Sequence, residues 1–61
     1  MVSLADSTAV VTGGGGGIGG ATSRLFAAAG ATVVVNDIDV DLAQATVADI
    51  EADGGTAGAV V

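Results

Sequence analysis

The chain has 61 residues, no cysteine, no histidine and a single cation, Arg24, against seven acids, for a formal net charge of −6. That balance excludes a nucleic-acid-binding surface, which needs several Lys and Arg to neutralise phosphates, and the missing Cys and His exclude a disulfide framework and a Cys/His metal cluster. A chain this short forms at most one small domain, burying only about 60% of its unfolded surface.

In chain order, residues 1–7 read as a polar lead-in lying against the first strand, with Leu4 its one sizeable apolar group after Val2. Asp6 and the lack of a positive charge ahead of an apolar segment argue against a secretory signal. The uncharged run from Ser7 to Ser23 is dominated by glycine, and that from Leu25 to Asn36 is too short to cross a bilayer. The expectations are no membrane partner, no nucleic-acid partner and a cytoplasmic location.

Thr8-Ala9-Val10-Val11-Thr12 predicts a short strand, rich in β-branched residues and bounded sharply by glycine. The run Gly13 to Gly17 follows, and from Ile18 to Ala29 the apolar positions Ile18, Ala21, Leu25 and Ala28 recur at helical spacing. Phe26 and Ala29 widen this stripe, which is expected to face the core, with Thr22, Ser23 and Arg24 mostly off it. Arg24, well inside the helix, reads as a solvated cation rather than an anion ligand, and Gly30 is placed to stop the helix.

Thr32-Val33-Val34-Val35-Asn36 predicts a second strand whose lack of polar alternation implies cover on both faces. Asp37 closes it, Asp39 can cap a helix over Val40 to Asp53, and Leu42, Ala43, Val47 and Ile50 are that helix's expected buried stripe. Asp41, Asp49, Glu51 and Asp53 read as its wet side rather than as a metal site, because they fan out along a surface. The last three oppose the helix dipole, with no Lys or Arg expected nearby to offset them. Gly54-Gly55 ends the helix, and Thr56 to Val61 begins a third strand.

The order β-α-β-α-β with short connections predicts an α/β fold, a parallel sheet with right-handed crossovers and strand order 3-2-1. This is one half of a Rossmann-type sheet, and it is expected to be incomplete. Both crossover helices fall on one face, leaving the other face of Val34 and the outer edge of the first strand without cover. Residues 1–61 are therefore expected to be the N-terminal part of a single domain, self-associating or unstable as an isolated piece.

The glycine run is the chemically informative stretch. Bare residues between a strand and a helix let main-chain N–H groups approach a bulky anion while the helix dipole aims its positive end at the same place. Two frames fit GxGxxG, Gly14/Gly16/Gly19 and Gly15/Gly17/Gly20, partly through the repetitiveness of polyglycine itself. A flexible linker is the alternative, but a linker gives no reason for helix and strand patterns to follow in dinucleotide register. Asp37 lies 18 residues beyond Gly19 at the end of the second strand, where a carboxylate can accept ribose hydroxyls. Taken alone it also fits a solvated turn acid.

Thr12-Gly13-x-x-x-Gly17-Ile18-Gly19 resembles the TGxxxGxG signature of the short-chain dehydrogenase/reductase family, and Asn36-Asp37-Ile38 resembles its cofactor-selecting segment. The resemblance covers essentially the whole chain. It implies that Gly13, Gly17 and Ile18 line a pyrophosphate with Gly16 alongside, that Asp37 binds the adenosine ribose and that Ile38 borders the adenine. It also implies a homo-oligomeric parent enzyme exchanging hydride between NAD and an alcohol or carbonyl substrate. NAD is expected over NADP, because the Asp37 carboxylate would meet a 2′-phosphate as a like charge. The family's proton transfer resembles the work of a Tyr and a Lys four residues on, assisted by a Ser. The 61 residues contain no Tyr and no Lys, and Ser3, Ser7 and Ser23 do not occupy the motif position. No catalytic residue is therefore assigned, and a nucleotide-binding or structural fragment without turnover is the alternative reading.

Overall fold

A computed structural model of the chain describes residues 4–60; the first three residues of the expected lead-in, and Val61 at the end of the expected third strand, lie outside that range. The elements are β1 (Thr8–Thr12), α1 (Gly17–Ala28), β2 (Thr32–Asn36), α2 (Val40–Ala52) and β3 (Thr56–Val60). The first two strands have their expected bounds, and each helix ends within a residue of its expected limit. The three strands pair in parallel with β2 in the centre, β1 on one edge and β3 on the other. Counted from the opposite edge, this is the expected 3-2-1 order.

Both helices stop in the same way. Gly30 (φ +106°) and Gly54 (φ +86°) take the left-handed conformation that a Cβ would oppose. The N–H of Gly30 donates to Ala27 O and that of Ala31 to Phe26 O, while Gly54 donates to Glu51 O and Gly55 to Ile50 O. These paired bonds form a Schellman motif at each helix end and satisfy carbonyls that helical geometry leaves open. Leu4 is tied here rather than to β1: its N–H donates to Ala29 O at 2.8 Å, and its side chain packs on the core.

The α2 N-terminus is capped as expected. One Asp39 carboxylate oxygen accepts from the N–H groups of Asp41 (3.1 Å) and Leu42 (3.2 Å). Asp39→Ala is expected to cost about 1 kcal/mol of stability, read as a lower midpoint in thermal unfolding followed by circular dichroism.

The core lies between the helices and one face of the sheet, and consists of Ala27, Ala31, Val33, Val35, Ala43 and Ile50, with Val11, Val47 and Ala57 packed at its margin. Val33 and Val35 are fully buried, whereas Val10, on the opposite face, is 65% exposed. One face is thus covered and the other open, as the crossover argument requires.

The burial of α1 corrects the sequence reading. Its buried residues are Gly20, Ser23 and Ala27, while Ile18, Leu25 and Phe26 of the expected core stripe are exposed, Ile18 by 89% and Leu25 by 70%. The helix leaves the sheet through a tight turn and lies close against β1 and β2, so the face that fits is the one with the smallest side chains. In α2 the stripe is shifted in part: Ala43 and Ile50 are buried and Val47 half-buried, but Thr46 takes the place expected for Leu42, which is exposed.

Arg24 is exposed, as expected, but it does offset one of the acids for which no nearby cation was expected. Its guanidinium lies 3.6 Å from the Asp49 carboxylate, joining the two helices and placing a cation beside one of the three acids at the C-terminal end of α2. Both side chains are about half exposed or more, so the pair contributes at most about 1 kcal/mol.

Candidate functional site

In open parallel sheets the ends of strands and the starts of the following helices meet outside the carboxyl edge of the sheet. Here that edge is formed by Thr12, Asn36 and Val60, which are in register. The chain leaving β1 continues the ladder for one step: the Gly13 N–H donates to Asn36 O at 2.6 Å and the Gly14 N–H to the same oxygen at 3.3 Å. A turn closed by the Gly16 N–H on Gly13 O (3.2 Å) then delivers the backbone to α1.

Gly16 is the N-cap of that helix, and no side chain caps it and no acid sits in its first turn. Helical geometry leaves the N–H groups of Gly17, Ile18 and Gly19 without intrahelical acceptors, so a partial positive charge accumulates at this end. The contrast with α2, where Asp39 fills the same position, is direct.

Of the glycines between Gly14 and Gly19, two groups can be told apart. A Cβ on Gly14 would lie 2.7 Å from Val11 O, one on Gly15 2.6 Å from the Leu42 and Ala43 backbone, and one on Gly19 would run into Gly13 O. Those three are bare because backbone passes against them. A Cβ on Gly16 would come no closer than 3.8 Å to Gly13 O, and one on Gly17 would meet nothing within 4 Å. Packing does not require glycine at either position; open space lies there instead.

Asp37 stands across this opening. Its N–H donates to Val60 O (3.2 Å), fixing it at the end of β2. Its carboxylate accepts from the Gly15 N–H at 3.2 Å through Oδ2 and from the Asp39 N–H at 2.9 Å through Oδ1. The acid is half-buried, while the neighbouring Ile38 projects outward, 94% exposed. Gly13, Gly16, Gly17, Ile18, Asp37 and Ile38 are thus all on segments at one edge of the sheet, with Asp37 bonded directly to the turn.

Two contacts escape a reading by spacing alone. The Gly15–Asp37 bond joins residues 22 apart, and Ser23, fully buried, donates its hydroxyl to Gly14 O (3.3 Å) and Gly19 O (2.8 Å). The available signal for Ser23 is its place in line with Gly20 and Ala27, a stripe of small residues at helical spacing. A cleft of about 410 Å³ lies at the opposite end of the molecule, between the C-terminal ends of α1 and α2, lined by Arg24, Ala27, Ile50 and Asp53 among others. None of the glycine-turn residues and neither Asp37 nor Ile38 lines it, and the glycine turn, where donors and an acid converge, is the better candidate. Among the described residues no group of three metal-ligating side chains converges, and no helix is long and apolar enough to cross a membrane.

Residues 7–61 match the sequence profile of the short chain dehydrogenases. Among solved structures, the chain is 45% identical to a 7α-hydroxysteroid dehydrogenase complexed with NADH and 7-oxo glycochenodeoxycholic acid, over 95% of this chain and 23% of that one, with a TM-score of 0.93. It is 35% identical to a citronellol catabolism dehydrogenase of Pseudomonas aeruginosa PAO1, over 100% of this chain and 26% of that one (TM-score 0.95). It is 46% identical to a proposed NAD(P) dependent gluconate 5-dehydrogenase from Beutenbergia cavernae with NADP bound at low occupancy, over 97% of this chain and 23% of that one (TM-score 0.91). A comparison with curated protein sequences finds no match. The chain spans about a quarter of the length of the structures it resembles, and along that quarter the backbones superpose closely. The chain belongs to the short chain dehydrogenase family.

Proposed function

We propose that these residues form the NAD-binding portion of a short chain dehydrogenase, the N-terminal part of a dinucleotide-binding domain. The observation that carries the proposal is the Asp37 carboxylate held at the mouth of an uncapped helix by the Gly15 and Asp39 N–H groups. A carboxylate offers about four acceptor positions; with one bond at each oxygen, it keeps capacity for two ribose hydroxyls. The N–H groups of Gly17, Ile18 and Gly19 suit a pyrophosphate, and the open space beside Gly16 and Gly17 admits one. Ile38, exposed next to Asp37, offers an apolar surface to adenine.

When bound, the nicotinamide would supply the hydride donor or acceptor for an alcohol or carbonyl substrate. The residues named here bind and orient the cofactor's adenosine half. NAD is the preferred form, because a 2′-phosphate would bring a second anion against Asp37, and the residues that follow it, Ile38 and Asp39, offer no positive charge to neutralise it. The structural relatives carry NADH in one case and NADP in another, so the preference rests on Asp37 itself. The complete enzyme would be homo-oligomeric and cytoplasmic.

A second reading, a nucleotide-binding module without turnover, is favoured by one fact: the sequence holds no Tyr and no Lys. Fluorescence titration of the chain with NADH and NADPH separates the possibilities. Saturable NADH binding at least about tenfold tighter than NADPH, with no dehydrogenase activity towards alcohols, is the expected result. Equal affinities would refute the cofactor preference, and no binding of either by a chain that circular dichroism shows to be folded would refute the function.

A further inference from the structure

We propose that Ser23 is a positioning residue for the cofactor acid: from inside α1 it orients the Gly14–Gly15 peptide whose N–H holds the Asp37 carboxylate. The proposal rests on the ribose role of Asp37 argued above and adds the group that sets its direction. In a trans peptide the C=O and the following N–H point opposite ways, and among the described residues no peptide is cis. The Gly14 carbonyl therefore turns inward to the Ser23 hydroxyl at 3.3 Å, and the Gly15 N–H turns outward to Asp37 Oδ2 at 3.2 Å.

The same hydroxyl lies 2.8 Å from Gly19 O, so its one hydrogen is shared between two carbonyls. They are not equivalent partners. Gly19 O accepts the i+4 helical N–H in any case, whereas Gly14 is buried off the helix, where a carbonyl needs a donor from elsewhere. Packing on both sides of this peptide narrows its freedom further. A Cβ on Gly14 would come within 2.9 Å of Ser23 Oγ, and one on Gly15 would strike the backbone at Leu42 and Ala43. Glycine permits the approach to Ser23, and Ser23 then chooses which way the permissive peptide faces. A run of five glycines has little rotational preference of its own, so the direction has to come from outside the turn.

The test compares Ser23→Ala with Thr46→Val, which removes another buried hydroxyl, on α2, from the same core. Amide hydrogen exchange in the ¹⁵N-labelled 61-residue chain is read first. Ser23→Ala is expected to speed Gly15 exchange relative to Val35 by about three- to tenfold, the range for one lost hydrogen bond, whereas Thr46→Val leaves that ratio as in the wild type. Titration then follows, with NAD affinity in Ser23→Ala falling by a similar factor and the NAD-to-NADP ratio narrowing.

Ser23→Cys, close in size but a weak donor, gives intermediate values and serves if the alanine variant does not fold. An unchanged Gly15 ratio in both Ser23 variants, or the same change in Thr46→Val, overturns the proposal. Faster Gly15 exchange with an unaltered NAD-to-NADP ratio overturns the link from the peptide to the ribose. A wild-type chain that binds neither dinucleotide overturns the cofactor reading, while the exchange comparison still decides whether Ser23 orients the turn.

Discussion

Asp37→Arg is expected to weaken NAD binding by about ten- to a hundredfold, the cost of losing hydrogen bonds to a charged acceptor. The substitution removes the acceptor for two ribose hydroxyls and, at the same time, the acceptor for the Gly15 and Asp39 N–H groups, so the turn itself loses a tie. For NADP the sign reverses. Unit charges 4 Å apart near a protein surface interact by about 4 kcal/mol before screening by salt; exchanging repulsion for attraction outweighs the lost hydroxyl bonds, and NADP affinity rises. Parallel titrations of the wild type and the variant with both dinucleotides check this. An unchanged ratio would remove Asp37 from cofactor selection.

Gly19→Ala is expected to destabilise the chain by about 1–3 kcal/mol, the usual cost of forcing extra volume into a packed site, and Gly15→Ala by a comparable amount. Two effects compete at Gly19. Alanine in a helix interior is favoured over glycine by about 1 kcal/mol, yet its Cβ would meet Gly13 O, a backbone atom that can move away only if the whole turn moves. The clash prevails. Gly17→Ala is the control, since its Cβ would meet nothing within 4 Å; it should melt within about 0.5 kcal/mol of the wild type, as substitutions away from packed features do, while binding NAD less well because the added methyl narrows the opening. Thermal unfolding measures the first set and titration the second. A Gly19→Ala variant as stable as the wild type would show that the turn is looser than its packing indicates.

Much of the fold is legible in the sequence because strand ends are punctuated: Thr12 and Asn36 are each followed by residues that break a strand, and Gly30 and Gly54 stop the helices. The parallel order follows from alternation of helix and strand. The face of α1 is not legible, for a physical reason. Ile18, Leu25 and Phe26 form one apolar stripe and Gly20, Ser23 and Ala27 another of smaller volume, and periodicity cannot say which of two such stripes meets the sheet. How near the turn brings the helix decides it, and that is a tertiary fact. The Arg24–Asp49 pair was hidden similarly, because it depends on how two helices lie side by side. At the candidate site, the glycine positions and Asp37 can be placed by motif, but the Gly15–Asp37 bond and the Ser23 contact exist only once strand, turn and helix are assembled.

The register of the sheet bears on how the chain reaches this shape. Thr8 lies opposite Thr32, and Thr32 opposite Thr56, so each rung of both ladders joins residues 24 apart in the chain. No rung can form by local zipping from a hairpin; each must wait until the intervening helix has shortened the path between its strands, and closing such loops costs entropy before any contact repays it. Refolding kinetics should therefore follow helix formation, and the slower crossover is the one through α1, whose first turn is rich in glycine, the weakest helix former apart from proline.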